Sequence, residues 1–219
     1  DYDCPPHFYA HGLNPLYKGF GQLMRYMNRV CHLISGGTAK PAVAVLYHAE
    51  GEWTSREEGY LLTQKPLRVL AQAQIDADIL WTDVLVERER YQTTLGRTLT
   101  VAGTSFRALV IPYSYYITSH LAAFLTEAQA AGFPVCFVGG RPQAIADVPE
   151  MPLPAAVADV PVLTLDALAA AMAPYADVRL DVPFPGLRYL RYGHESDLYF
   201  FTNESPDQIF SGRVRLTGE

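Results

Sequence analysis

Residues 107–142 read RALVIPYSYYITSHLAAFLTEAQAAGFPVCFVGGRP, and the order of patterns in this stretch decides the fold. Arg107–Pro112 is a short apolar run, the mark of a strand buried on both faces. Ser119–Ala131 sets Leu121, Phe124, Leu125 and Ala128 on one helical stripe, and Gly132 can end that helix. Pro134–Val138 is a second apolar run that closes on Gly139 and Gly140. Strand, helix and strand in this order form a βαβ unit, which requires a parallel sheet and a crossover. Ligands of open parallel sheets sit beyond the carboxyl ends of the strands. The first places for a site are therefore Tyr113, Tyr115 and Tyr116 after one strand, and Gly139, Gly140 and Arg141 after the next.

Working upstream, Lys40–His48 (KPAVAVLYH) predicts the first strand, and the loop Ala49–Arg56 after it carries Glu50, Glu52 and Trp53. Tyr60–Ala73 predicts a helix whose start Pro66 delays or kinks. Asp78–Val84 reads as a second strand, Arg88–Gln92 as a polar connector and Thr98–Ala102 as a short edge strand. Further back, Leu16–Ile34 is an amphipathic helix, with Asn14 as N-cap, Pro15 at the first helical position and Ser35-Gly36-Gly37 as its end.

Working downstream, Gln143–Asp159 is rich in Pro and Ala and reads as a loop with one helical turn. Val162–Leu165 is a short strand, Asp166 caps a helix that Pro174 stops, and Val178–Val182 is strand-like. Leu187–Tyr192 and Leu198–Thr202 form a hairpin around Gly193–Asp197, with Ile209–Leu216 as a third strand. The expected architecture is an open, mostly parallel, flavodoxin-like α/β sheet over residues 38–184. It is preceded by a helical segment, 1–37, and followed by a β extension, 185–219.

Composition narrows the function. The 219 residues are 49% hydrophobic and 18% charged, as in a globular chain, and the net charge is −6. That balance argues against nucleic acid or an anionic membrane as partner. No apolar run approaches the roughly 18 residues that span a bilayer. Three cysteines, Cys4, Cys31 and Cys136, are too few and too scattered for a disulfide framework or a zinc site, which favours a cytoplasmic setting. Cys31 and Cys136 read as buried free thiols. His7, His11 and His32 form no metal-ligand spacing, and neither a metal nor a cofactor is expected. Both chain ends read as cuts from something larger.

Five segments carry a resemblance: HFYAHGLNPLYKGFGQLMRYMNRVCHLISGG (7–37), KPAVAVLYHAEGEW (40–53), RALVIPYSYYIT (107–118), FPVCFVGGRP (133–142) and LYFFTNES (198–205). In this order they resemble the part that follows the catalytic barrel in large bacterial glycoside hydrolases of the α-L-rhamnosidase and sugar-binding family 2-like groups. A similar glutamine-amidotransferase-like domain trimerises the family 42 β-galactosidases. The resemblance implies a class I amidotransferase-like sheet, with residues 1–37 as the tail of the barrel and 198–205 as the start of a β-sandwich. It also implies a non-catalytic accessory role: packing on the upstream barrel, oligomerising with further copies, or shaping a carbohydrate site. The two carboxyl groups of glycoside hydrolysis would lie on the barrel strands.

Two other readings stand beside it. One is a stand-alone carbohydrate- or metabolite-binding module. For it, Glu50 and Trp53 offer a carboxylate and an indole, and Tyr113, Tyr115 and Tyr116 a cleft or interface lining. The other is an amidotransferase-like hydrolase using Cys136, a chemistry that needs a cysteine on a tight strand-to-helix turn and a histidine oriented by a carboxylate. Cys136 lies three residues before Gly139, and Gly139-Gly140 holds the turn. His48-Ala49-Glu50 has a suitable spacing but an early place in the chain, and His194 and Glu195 are adjacent. Glu50 with Glu52 could form a carboxylate pair, and Gly139-Gly140-Arg141 an anion-binding turn. A solvated acidic loop and a tight turn are the plainer meanings.

Overall fold

The computed structural model describes residues 14–57 and 59–217. The chain divides into two compact units, residues 1–37 and 38–219. Cys4, His7 and His11 lie outside the described residues.

Among its described residues the first unit holds one helix, α1 (Tyr17–Ile34). Leu23, Tyr26, Met27 and Leu33 are exposed, and no residue of the helix is buried. Cys31 is exposed too, contrary to the expected buried thiol. The start also differs from expectation. Asn14 Oδ1 accepts from Leu16 N at 2.9 Å, and Leu16, with no capping side chain, holds the N-cap position. Asn14 thus closes the turn before the helix.

The second unit is built on five parallel strands: β1 (Val43–Tyr47), β2 (Ala77–Trp81), β3 (Ala108–Pro112), β4 (Val135–Val138) and β5 (Val162–Leu163). Their spatial order is β5-β4-β3-β1-β2, the flavodoxin-like order. All four pairings are parallel, with Val43 opposite both Ala77 and Ala108. β1 as far as Leu46, and all of β3, are apolar and buried because helices cover both faces. Alternate residues part to opposite sides. Ala44, Leu46, Leu109, Ile111 and Phe137 meet Leu121, Phe124, Leu125 and Ala128 of the helix Ser119–Ala131. Val43, Val45, Val110, Cys136 and Val138 meet Leu70, Leu168 and Met172 on the other face.

The central βαβ unit forms as its pattern predicts. Thr118 caps the helix, its Oγ1 accepting from Leu121 N, and Gly132 ends it at φ +68°. Pro66 delays the upstream helix to Gln64–Gln72. Elsewhere the boundaries shift. Asp78–Val84 is not all strand: the chain turns helical at Thr82–Val86, which buries Val84 and Leu85. The run at 98–102 is the middle strand, Leu99–Val101, of a separate antiparallel sheet with Thr93–Leu95 and Thr104–Phe106, not an edge of the main one. Arg88–Tyr91 is a single helical turn rather than a plain connector. The helix Leu165–Met172 is capped by Thr164, which accepts from Ala167 N, while Asp166 sits in its first turn.

The β extension is a hairpin, β6 (Leu187–Gly193) with β7 (Asp197–Asn203). Its third strand is Thr38–Ala39, antiparallel to β6. The expected third strand near the end of the chain shrinks to Val214–Leu216 and pairs instead with Val178–Leu180.

Candidate functional site

In the order β5-β4-β3-β1-β2 the chain leaves β1 toward one edge and β3 toward the other. Their carboxyl ends part at this point, where doubly wound sheets bind ligands. β1 delivers His48 and the short helix Ala49–Thr54, with Glu50, Glu52 and Trp53. β3 delivers Tyr113 and Ser114, and β4 delivers Gly139, Gly140 and Arg141.

The parting of the strands is filled by the chain itself. Leu61 N donates to Tyr113 O at 2.7 Å, and Tyr60 bridges to Ser114. The Tyr113 ring lies on Gly140, where a Cβ would come within 2.6 Å of Cδ2. Leu61 lies on Gly139, whose φ is +89°. What remains among His48, Glu52, Thr63 and Ser114 is a void of about 10 Å³, the room of about one water molecule. A substrate-sized pocket is some thirtyfold larger at the least.

The polar groups around that void are largely committed to one another. Ser114 Oγ donates to Tyr116 O at 2.8 Å, and Ser55 Oγ accepts from Tyr116 N at 3.1 Å. The 2.7 Å contact between the two hydroxyls is then Ser55 donating to Ser114. Both protons are held in a chain that ends on a backbone carbonyl, so neither serine is poised as a nucleophile. His48 is buried, and neither Nδ1 nor Nε2 has a hydrogen-bond partner among the described residues. Burial holds its pKa below the ordinary histidine value, and the nearby Glu50 charge pulls the other way. Gly51 is required here, because a Cβ would stand 2.4 Å from His48 Nδ1 and 2.5 Å from Ser114 Oγ.

The residues singled out from the sequence are distributed around this edge. Glu50 Oε2 accepts from Thr82 Oγ1 at 3.3 Å, whereas Glu52 lines the void. Two apart on a helix, they face different ways and form no pair. Trp53 is 77% exposed. The Tyr115 and Tyr116 rings meet edge to face at 4.8 Å, where Tyr116–Ile117 pairs with Ala144–Ile145. Arg141 turns its guanidinium back onto the chain, Nη2 donating to Val160 O at 2.8 Å. Cys136 lies inside β4, and burial pushes its thiol up to about 12, opposite to the shift that activates a nucleophilic cysteine.

Three features escape the sequence reading. Tyr47 and Trp81 end β1 and β2 in direct register and are both exposed. With Trp53 they give this edge of the sheet three exposed aromatic side chains, a signal visible only once the strand ends are known. The Ser55–Ser114 bond joins residues far apart in the chain. A charged cluster of Arg107, Asp177, Arg191 and Asp197 gathers at the other end of the sheet. Among the described residues no three side chains are grouped to hold a metal ion, and no helix is long and apolar enough to cross a membrane. No family model matches the chain, and no curated protein matches it.

Proposed function

We propose that this chain is a non-catalytic accessory domain of a modular glycoside hydrolase, one that packs on the catalytic barrel, oligomerises, or shapes the mouth of the sugar site. The observation that carries the reading is the packing of Tyr113 and Leu61 onto Gly140 and Gly139. At the position where an amidotransferase-like sheet would hold its nucleophile, this chain has glycine. The space in front is occupied by its own side chains. The elevated thiol pKa and strand-interior place of Cys136 support the same reading against the hydrolase alternative.

A contact role is supported at the neighbouring edge. Tyr47, Trp53 and Trp81 are exposed at the ends of β1 and β2 and on the helix after β1, and aromatic faces recognise the apolar faces of sugar rings. The test is a glycosidase assay on the whole gene product carrying Trp53→Ala or Trp81→Ala. A shift in KM or in oligomer mass with kcat preserved is expected. A loss of kcat with unchanged KM and assembly would contradict the accessory role.

A further inference from the structure

At the end of the sheet opposite the strand carboxyl termini, beside Ala42 and Arg107, the second unit carries an open cleft of about 650 Å³. That volume is ordinary for a small-molecule site. Its charge runs against that of the chain. Lys40, Arg107, Arg179 and Arg191 line it, with Asp177 as the carboxylate among them.

Three of these cations are neutralised in one connected chain. Lys40 Nζ meets Asp197 Oδ1 at 2.9 Å, and Arg191 donates to Asp197 through Nε at 2.8 Å. Arg191 also meets Asp177 Oδ2 at 3.2 Å, and Asp177 Oδ1 binds Arg107 Nη2 at 2.7 Å. Arg191 and Asp177 are both buried, so this part of the wall is built rather than fluid.

Arg179 is the remainder. Its side chain has no hydrogen bond or ion pair among the described residues, and its register partner on the antiparallel strand is Arg215, whose side chain has none either. Directly opposed residues share a face at about 5 Å, and like charges so placed repel. Among the described residues Lys40, Arg107, Arg179 and Arg191 outnumber Asp177, Asp197 and the neighbouring Asp76, and the Arg179 guanidinium supplies donors in forked geometry. Thr38, Thr98, Thr104 and Ser105 also line the cavity, the Ser105 hydroxyl being bonded to Thr100 Oγ1 at 3.0 Å.

We propose that this cavity binds a small organic anion, a carboxylate or phosphate carried on a hydroxyl-bearing scaffold such as a sugar acid or sugar phosphate. Arg179 makes the principal charge contact, with Arg215 beside it, and the threonine and serine hydroxyls meet the scaffold. The site lies apart from the aromatic edge and is independent of the accessory-domain reading.

The test is calorimetric titration of the 219-residue chain at low ionic strength with glucuronate, glucose 6-phosphate, inorganic phosphate and glucose. One of the two sugar anions is expected to bind at a single saturable site, the choice identifying carboxylate or phosphate. Inorganic phosphate is expected to be weaker and glucose silent. Arg179→Gln removes an exposed, unpartnered side chain and should fold normally. It is expected to weaken the anion by about tenfold or more, while Arg90→Gln, away from the cavity, leaves it unchanged. No saturable binding of either sugar anion, equal binding of glucose or of inorganic phosphate, or an affinity indifferent to Arg179→Gln would each overturn the proposal.

Discussion

Asp76 follows the helix Gln64–Gln72 and precedes β2, and burial pushes its carboxyl up to about 6 from the ordinary 3.8. A hydrogen bond from the Arg191 backbone opposes the shift, and the Asp78 and Asp177 charges add to it. The folded state therefore binds the proton more tightly than the unfolded state. The contribution of Asp76 to stability is fully present below pH 4 and is lost as pH rises through 6. His48 works in the other sense: its lowered pKa leaves the folded state short of a proton, so stability falls as pH drops below about 6.5. Below about pH 6 the two slopes oppose each other. Asp76→Asn is expected to raise stability at pH 7 by on the order of 1–2 kcal/mol, discounted for partial solvent access, and to change little at pH 4. The variant then shows the rising slope of His48 alone. Urea melts at pH 4.5, 5.5 and 7 check this, and parallel profiles for the two proteins would contradict it.

The hairpin β6–β7 is anchored by Gln74. Its Nε2 donates to Leu187 O at 2.9 Å and to Phe184 O at 3.1 Å, from a residue held at φ +52°. Replacing Gln74 by Ala removes both of these hydrogen bonds, leaving Phe184 O its bond from Leu187 N, and keeps the strained backbone, at a cost of about 1–2 kcal/mol. Gln74→Gly relieves the strain and recovers about 1 kcal/mol, but does not restore the anchor. Amide exchange along Leu187–Asn203 is expected to quicken in both variants, and unchanged exchange would refute the anchoring role. Elements of this kind also mark where sequence reasoning ends. The strand Ala108–Pro112 and the helix Ser119–Ala131 were legible because the apolar periodicity and Gly132 agree. The switch from strand to helix at Thr82 was not, because its reason is tertiary: Val84 and Leu85 reach the core only if the chain coils there. The pairing of Val214–Leu216 with Val178–Leu180 was hidden likewise, since strand partners distant in sequence leave no local trace.

At the scale of the whole molecule, the α/β sheet has the topology that usually presents a ligand site and the packing that closes it. The residues of that closure were partly legible. Gly139-Gly140 in the place of a nucleophile can be read from the sequence, whereas the seating of Tyr113 on Gly140 and the unpaired nitrogens of His48 depend on contacts between β1, β3 and the segment 59–63. The arginine cavity was invisible, because Lys40, Arg107, Arg179 and Arg191 meet only after the sheet forms. The measurement that bears most directly on the accessory role is an assay of the 219-residue chain by itself for glycosidase and glutaminase turnover. No turnover is predicted for the wild-type chain. Turnover that is abolished by Cys136→Ser or by His48→Ala would contradict the account.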